Sequence, residues 1–445
     1  MNDLSRLPAN RGGFISPPMT AQTAQRGQTL VHGGEALAVV PRWLGRLWAG
    51  GFNRLLDRVD AGLEEGLVRV TLPDGTTRQL GGRAPGFEAE AHVHDWRALL
   101  RLATAGSVGC YQGWEAGDWS SPDPVELFAL FCANAVPLGD AARARGPWRW
   151  VGRVLHRLNR NSRDGSARNI HAHYDLGNDF YEEWLGSTMA YSSAIFDDAG
   201  PSKWQQRLDA LDYAQLCKIM TIANRAAVPD GGSVLEIGCG WGAQAVALAG
   251  TAARVDAISL SDEQLAFCRS KNGAAASRID FRKQDYRDVA GQYDAVVSVE
   301  MVEAVGQEYW PDFFDCLERN LKPGGRAVLQ FIAIDDAVFP AYSRGADFIQ
   351  TYIFPGGMLV SESAFKSLAS ERGLEWSDDA YFGLHYAETL RLWREAFDRA
   401  VTEGRLPAGF DDRFVRLWRF YLMYCEGGFR GGLIDVGQVT LIKQA

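Results

Sequence analysis

Long apolar runs are missing from this 445-residue chain. None approaches the ~18–20 residues that crossing a bilayer requires, so no spanning helix is expected. The first residues lack a basic segment followed by an apolar one, so no secretory leader is expected either. Cysteine is sparse: seven residues without a C-x-x-C pair argue against a disulfide framework and a zinc site, and point to a reducing cytoplasm. Lysine is absent from the first 170 residues, and histidine from the long interval between His173 and His385. Disorder is excluded by composition, at 47% hydrophobic, 11% aromatic and 23% charged. The length suggests two or three domains.

The net charge of −9 conceals a split. Residues 1–170 carry 20 Arg and 16 acids, a balance of +4, whereas 171–445 carry 26 basic and 39 acidic groups, a balance of −13. A basic front half on an acidic body suggests a face that meets an anionic partner. The densest stretch is 143–168, where Arg143, Arg145, Arg149, Arg153, Arg157, Arg160, Arg163 and Arg168 meet the single acid Asp164, with Trp148 and Trp150 among them. A solvated connecting helix is the bland alternative. Forked guanidinium contacts suit phosphates, and with no nucleic-acid motif beside it an anionic membrane surface is the expected partner, held peripherally.

Residues 1–30 read as a loose segment. Val39–Asp60 has a helical pattern of Trp43, Leu44, Leu47, Trp48, Leu55 and Leu56 with interleaved arginines, which Gly50-Gly51 can break or kink. Leu67–Leu72 and Thr76–Leu80 flank a Pro73-Asp74-Gly75 hairpin signal. Phe87–His94 is a third strand candidate, and Trp96–Ala103 and Pro124–Ala133 are helical. A small α+β domain is therefore expected over 31–137, followed by an arginine-rich connector over 138–169. His92 and His94, with no third ligand nearby, read as structural.

From about residue 205 strands alternate with helices, which implies a doubly wound parallel α/β sheet. The apolar strand Ser233–Ile237 runs into Glu236-Ile237-Gly238-Cys239-Gly240-Trp241-Gly242 and then the helical run Gln244–Leu248. Glycines at a strand-to-helix turn let the backbone approach a ligand. The bare pattern Gly238-x-Gly240-x-x-Ala243 fits a dinucleotide site as well, so the glycines alone do not choose the cofactor. The acids discriminate better. Glu236 precedes the glycines, whereas a dinucleotide site wants its ribose acid at the tip of the second strand, Arg254–Leu260; Asp262 there leaves that reading disfavoured but open. Further strands are expected at Ile279–Phe281, before Asp285-Tyr286, at Asp294–Val299, and at Arg326–Ile332 after the turn Leu321–Gly325. In order and spacing these segments resemble a class I S-adenosylmethionine (SAM)-dependent methyltransferase.

The resemblance narrows with His173–Phe180, Tyr191-Ser192-Ser193-Ala194, Glu303-Ala304-Val305-Gly306, Phe348–Gly357 and Tyr421–Arg430. Together these look like the cyclopropane-fatty-acyl-phospholipid synthase and mycolic acid cyclopropane synthase family, over a catalytic domain of 170–445. The N-terminal domain resembles that family's lipid-engaging module more loosely. The resemblance implies that Tyr174, Tyr191 and Ser192 close over the methionine end of SAM and that Glu236, Gly238 and Gly240 line its amino-acid moiety. It places Ser259 and Gln264 at the ribose, and Asp285 and Tyr286 at the adenine. It further implies attack of a cis double bond on the sulfonium methyl, then loss of a proton from the cation to a bound bicarbonate. That bicarbonate would be held by a Cys, a Glu, a His, an Ile backbone group and a Tyr.

Glu303, Ile332 and Tyr352 match three of those places, while the Cys position is Ser193 and the His position is Gln330. Both substitutes donate hydrogen bonds, which is compatible with a bicarbonate cradle, but neither titrates near neutrality. Glu303 is left to anchor bicarbonate, to stabilise the cation, or to take the proton itself. The expected function is cyclopropanation of unsaturated phospholipid acyl chains by a cytoplasmic enzyme peripheral to the inner membrane surface. The alternatives are methyl-branched or methylidene products, or a non-catalytic lipid-binding protein. No nucleic-acid partner is expected, no metal is called for, and a homodimer is compatible with the reading.

Overall fold

A computed structural model describes residues 26–34, 49–139, 176–197, 209–271 and 277–444. The arginine-rich run 143–168, Tyr174, most of the loose 1–30 segment and the first part of the Val39–Asp60 pattern lie outside the described residues. The chain divides into two compact units that alternate along the sequence. The first comprises Met1–Leu158, Pro340–Pro355 and Leu406–Leu433; the second comprises Asn159–Phe339, Gly356–Arg405 and Ile434–Ala445. The N-terminal unit thus takes two segments from the C-terminal half of the chain.

In the first unit, β1 (Leu67–Thr71) and β2 (Thr77–Gly81) form the expected antiparallel hairpin. Asp74 Oδ1 accepts from the Thr76 amide at 3.0 Å and its hydroxyl at 2.7 Å, and Gly75 takes a left-handed φ of 83°, which closes the turn. β3 (Glu88–Val93) joins β1 in parallel, and β4 (Trp119–Ser120) completes the order β2-β1-β3-β4. On the β3–β4 pair, His94 Nε2 lies 2.8 Å from Ser120 Oγ. A helix spans Ala49–Gly62, so Gly50 and Gly51 lie inside it rather than ending it. The helix expected over Trp96–Ala103 continues to Glu115 through a kink at Gly106, whose φ/ψ of 57°/−132° is not helical. Pro124–Ala133 is a helix within the expected bounds. Pro sits in its first turn and the Asp123 carboxylate accepts from the Val125 and Glu126 amides.

The helix Asp412–Arg430 packs on this last helix, and the close approach requires glycine: a Cβ at Gly427 would stand 2.4 Å from Phe128 Cβ, and one at Gly431 2.4 Å from the Ala129 carbonyl. Phe414, Trp418 and Phe420 are fully buried core residues of this unit. Phe420 meets Tyr111, Phe128 and Phe348 at centroid distances of 4.9–5.3 Å. Such offset aromatic contacts are packing first.

The second unit is built on a seven-stranded sheet. Its strands are β5 (Ser233–Ile237), β6 (Arg254–Ser259), β7 (Ile279–Lys283), β8 (Tyr293–Val299), β9 (Leu321–Ile334), β10 (Leu374–Tyr381) and β11 (Ile434–Lys443), in the order β10-β11-β9-β8-β5-β6-β7. The neighbours from β9 to β7 are parallel, while β11 is antiparallel to β9 and β10. The turn expected over Leu321–Gly325 is a bulge inside β9. Leu321 pairs with Tyr293 and Arg326 with Ala295, so Lys322–Gly325 stand opposite Asp294 alone. The central strands are apolar on both faces, as a sheet covered by helices demands. Strand order reverses between β5 and β8, so the carboxyl ends of these two strands bound the crevice where ligands of open α/β sheets sit. Among the described residues no helix is long and apolar enough to cross a membrane.

Candidate active site

The exit of β5 carries the first part of the site. Glu236, 3% exposed, keeps its outer oxygen Oε2 buried and without a hydrogen-bond partner. Burial holds its carboxyl well above the ordinary range, opposed by the nearby Lys218 cation. Gly238 follows at φ 83°, where a Cβ would press to 2.7 Å from Met301 Cγ. Gly240, at φ 51°, faces open space, with nothing within 4 Å of where a Cβ would point. At the end of β6, the Ser259 hydroxyl donates to Gln264 Oε1 at 3.0 Å and accepts from the Ser261 amide at 3.1 Å. After β7, Asp285 is bound by Arg287 at 2.8 Å and 2.6 Å, and the Tyr286 ring lies 5.7 Å from Phe313. The carboxyl ends of β5, β6 and β7 thus present, in sequence, an acid, a backbone cradle, a hydroxyl–amide pair and an aromatic with an acid.

Tyr191 packs in a cluster with Tyr181, Trp184 and Trp393 through tilted and edge-on ring contacts. Ser192 Oγ accepts from Lys218 Nζ at 2.7 Å, and both side chains are buried. Burial lowers the Lys218 ammonium to about 8, against the pull of Glu300 and Glu236.

The second part of the site lies at the ends of β8 and β9, and it contains a residue that sequence reasoning did not single out. Glu300, immediately after β8, adopts a left-handed φ of 46°. Its backbone amide still donates to the Gln330 carbonyl at 2.8 Å. Its Oε1 accepts from the Ser193 amide at 2.9 Å and from Gln330 Nε2 at 2.7 Å, and its Oε2 accepts from the Tyr386 hydroxyl at 2.7 Å. Gln330 is oriented in turn by Gln438, which donates to its Oε1 at 2.9 Å. The Ser193 hydroxyl is turned away, donating to the Ala194 carbonyl at 3.0 Å, so the residue serves Glu300 through its backbone N–H. The signal available in the sequence was an acid at the mouth of a central strand.

Glu303 lies one turn further on. Its Oε1 accepts from the Ile332 amide at 2.5 Å, and its Oε2 is buried without a partner. Burial and the negative charge of Glu300 push its carboxyl up to about 8. Ser193, Gln330, Ile332 and Glu303 are therefore gathered with Glu300. Tyr352 belongs to the other unit, where its hydroxyl accepts from Gln112 Nε2 at 3.2 Å.

A family model described as mycolic acid cyclopropane synthetase matches residues 161–439. The chain belongs to that family. Among its relatives, the tuberculostearic acid methyltransferase UfaA1 of Mycobacterium tuberculosis is 38% identical over 96% of this chain and 99% of its own length. The cyclopropane-fatty-acyl-phospholipid synthase of Escherichia coli K12 is 35% identical over 82% and 90%. Among solved structures, mycolic acid cyclopropane synthase CmaA1 complexed with SAH and CTAB superposes with a TM-score of 0.56 at 28% identity, covering 62% of this chain and 98% of that one. The cyclopropane synthase MmaA2 from Mycobacterium tuberculosis gives 0.55 at 27% over 62% and 98%. The chain is a SAM-dependent C-methyltransferase with the class I fold that the sequence led us to expect.

The residues present fit SAM. The orphaned buried oxygen of Glu236 would accept from the cofactor's ammonium, and the open face at Gly240 leaves its carboxylate room. Ser259 with Gln264 would meet the ribose. Bicarbonate fits less well, because the Ser193 amide and the Gln330 side chain already serve a protein carboxylate.

Proposed function

We propose that this enzyme transfers the SAM methyl group to the double bond of an unsaturated phospholipid acyl chain, and that the product is a methyl-branched or methylidene chain. Bound SAM supplies an electrophilic methyl group; the protein supplies alignment, a dry pocket and a place for the proton. The observation that carries the lipid reading is the gathering of Ser193, Glu300, Glu303 and Gln330 at the mouth of β8 and β9. Two buried carboxylates in this constellation, beside the strand ends that would hold SAM, could stabilise a developing cation, and this supports the reading. The preference among products rests on the relative that matches nearly the full chain, whose name records methyl transfer. Cyclopropanation, the expectation from the motifs, keeps the support of the family model and the Escherichia coli relative.

SAM carrying a fully deuterated methyl group tests this. Three retained deuteriums in a methyl-branched chain, or two in a methylidene group, are the expected outcomes. Two deuteriums with an upfield ring signal by proton NMR would return the product to cyclopropane, and no label in lipid would remove the reading altogether.

The substrate's location implies a membrane visit, and the charge of 143–168 is what supports it. Replacing four of its arginines by glutamine should weaken binding to anionic phospholipid vesicles, with the difference shrinking as salt rises. Unchanged binding would reduce the segment to a linker.

A further inference from the structure

The sequence left the site without a base that titrates near neutrality, because Ser193 and Gln330 stand where the resemblance implies a Cys and a His around bicarbonate. The fold supplies a carboxylate from inside the chain. Glu300 takes the Ser193 amide and the Gln330 side chain on one oxygen and the Tyr386 hydroxyl on the other. A carboxylate and a bicarbonate are both planar oxyanions that want such donors. One N–H pair cannot fully serve both. We propose that the Glu300 carboxylate stands in the place of bicarbonate and is itself the base that removes the proton from the alkyl cation, so that turnover needs no dissolved bicarbonate. The proposal rests on the methylation reading above.

Three features support it. Three donors fill three of the roughly four acceptor positions of a carboxylate, which leaves one on Oε2 for an incoming proton. Gln330 is fixed by Gln438, so its NH2 group rather than its carbonyl faces Glu300. Glu300 also holds a left-handed φ, which a non-glycine residue adopts at a cost, and such outliers gather at functional sites. The electron count closes without a further reagent. The alkene π pair forms a C–C bond to the transferred methyl while the C–S bond breaks toward sulfur. Either a C–H pair next to the cation then moves to the cationic carbon and leaves a methyl-branched alkene, or a 1,2-hydride shift first carries the cation onto the methyl-bearing carbon and a C–H pair of the new methyl forms the methylidene double bond. The proton goes to Glu300 Oε2 and then to water, which regenerates the carboxylate.

Two variants test this. Glu300→Gln keeps the size but not the basicity, whereas Glu300→Gly removes the carboxylate at a φ that glycine accepts freely. SAM binding by calorimetry, expected within about threefold of wild type, checks that both fold. In carbon-dioxide-free buffer the wild type should turn over at full rate, with less than a twofold gain from added bicarbonate. Glu300→Gln should lose about 100-fold or more in kcat, the usual worth of a positioned base. Glu300→Gly should be similarly impaired and regain at least about tenfold in bicarbonate. Line broadening of 13C-bicarbonate, which needs no lipid, should appear with Glu300→Gly and not with wild type. Bicarbonate-dependent wild-type turnover, wild-type bicarbonate binding at this position, or a Glu300→Gln variant with near-normal kcat would overturn the proposal. Failure of the lipid reading leaves a different trace: no label enters lipid, while the binding comparison still shows what fills the pocket.

Discussion

Glu303 offers a stability test that does not depend on knowing the substrate. Its carboxyl is pushed from 4.5 to about 8, first by burial and then by the charge of Glu300. A folded-state value above the unfolded one gives a contribution that is complete below pH 4.5 and is lost as pH rises through about 8. Over that window the unfolded chain releases a proton that the native state keeps, so stability falls by about 1.4 kcal/mol per pH unit. Solvent and local relaxation will soften this, so a total on the order of 3 kcal/mol by pH 8.5 is a fair expectation. Glu303→Gln keeps an oxygen for the Ile332 amide and has no proton to lose. Its stability should match wild type at pH 5 and exceed it at pH 8.5. At roughly 2–4 °C per kcal/mol for a domain of this size, the variant's Tm advantage should open from near zero to about 6–12 °C. Thermal melts of both proteins from pH 5 to 9 measure it. Parallel curves would refute the argument, because they would mean that Glu303 ionises alike in folded and unfolded chains. The same substitution puts a neutral amide where a neutral acid stands, so near neutral pH it should leave SAM binding intact and kcat within about tenfold of wild type; a loss of 100-fold or more would mean that Glu303 acts in its ionised form.

Glu236→Gln should weaken SAM binding by about 10- to 100-fold, the worth of a charge-assisted hydrogen bond, with calorimetry as the readout; unchanged affinity would move the ammonium elsewhere. In the first unit, Asp118 is 2% exposed and pairs with Arg97 at 2.8 Å and Arg101 at 3.2 Å. Asp118→Asn should cost on the order of 3 kcal/mol by urea unfolding, because the Arg101 guanidinium loses its counter-charge and Arg97 is left with the more exposed Asp95 at 3.0 Å. A loss below about 1 kcal/mol would show that solvent already serves them.

What the sequence could show depended on how local each signal was. β5, β6 and β8 announce themselves as largely apolar runs followed within three residues by glycine or acid, and β7 only through the alternation of buried Ile279 and Phe281. β10 does not, because Glu375, Ser377, Asp378 and Asp379 sit on an edge strand whose outer half is exposed. The Lys322–Gly325 bulge reads as a turn because Pro and Gly-Gly are turn residues wherever they occur; only the pairing of Leu321 with Tyr293 shows that the strand had already begun. The helix Asp412–Arg430 has the right period and caps, yet nothing local tells that it packs with Pro124–Ala133, some three hundred residues earlier. Ser193 and Gln330 were visible as departures from a resemblance. Glu300 was missed because its donors lie 107, 30 and 86 positions away along the chain.

That separation also explains how two carboxylates three residues apart acquire different characters. Burial raises both. Glu300 offsets it with three donors and the field of Lys218, whereas Glu303 has a single amide and a neighbouring negative charge. Three donors aimed at Glu300 and one at Glu303 favour Glu300 as the member that carries the pair's negative charge. Opposed environments of this kind assign roles. The ionised member can accept a proton from a carbocation without first releasing one. The protonated member keeps the pocket at a single negative charge, enough to stabilise a passing cation without binding it permanently. Had Glu303 been the base, it would have had to act from the form that its surroundings disfavour. The division of labour follows from which carboxylate the backbone of Ser193 and the side chains of Gln330 and Tyr386 happen to reach.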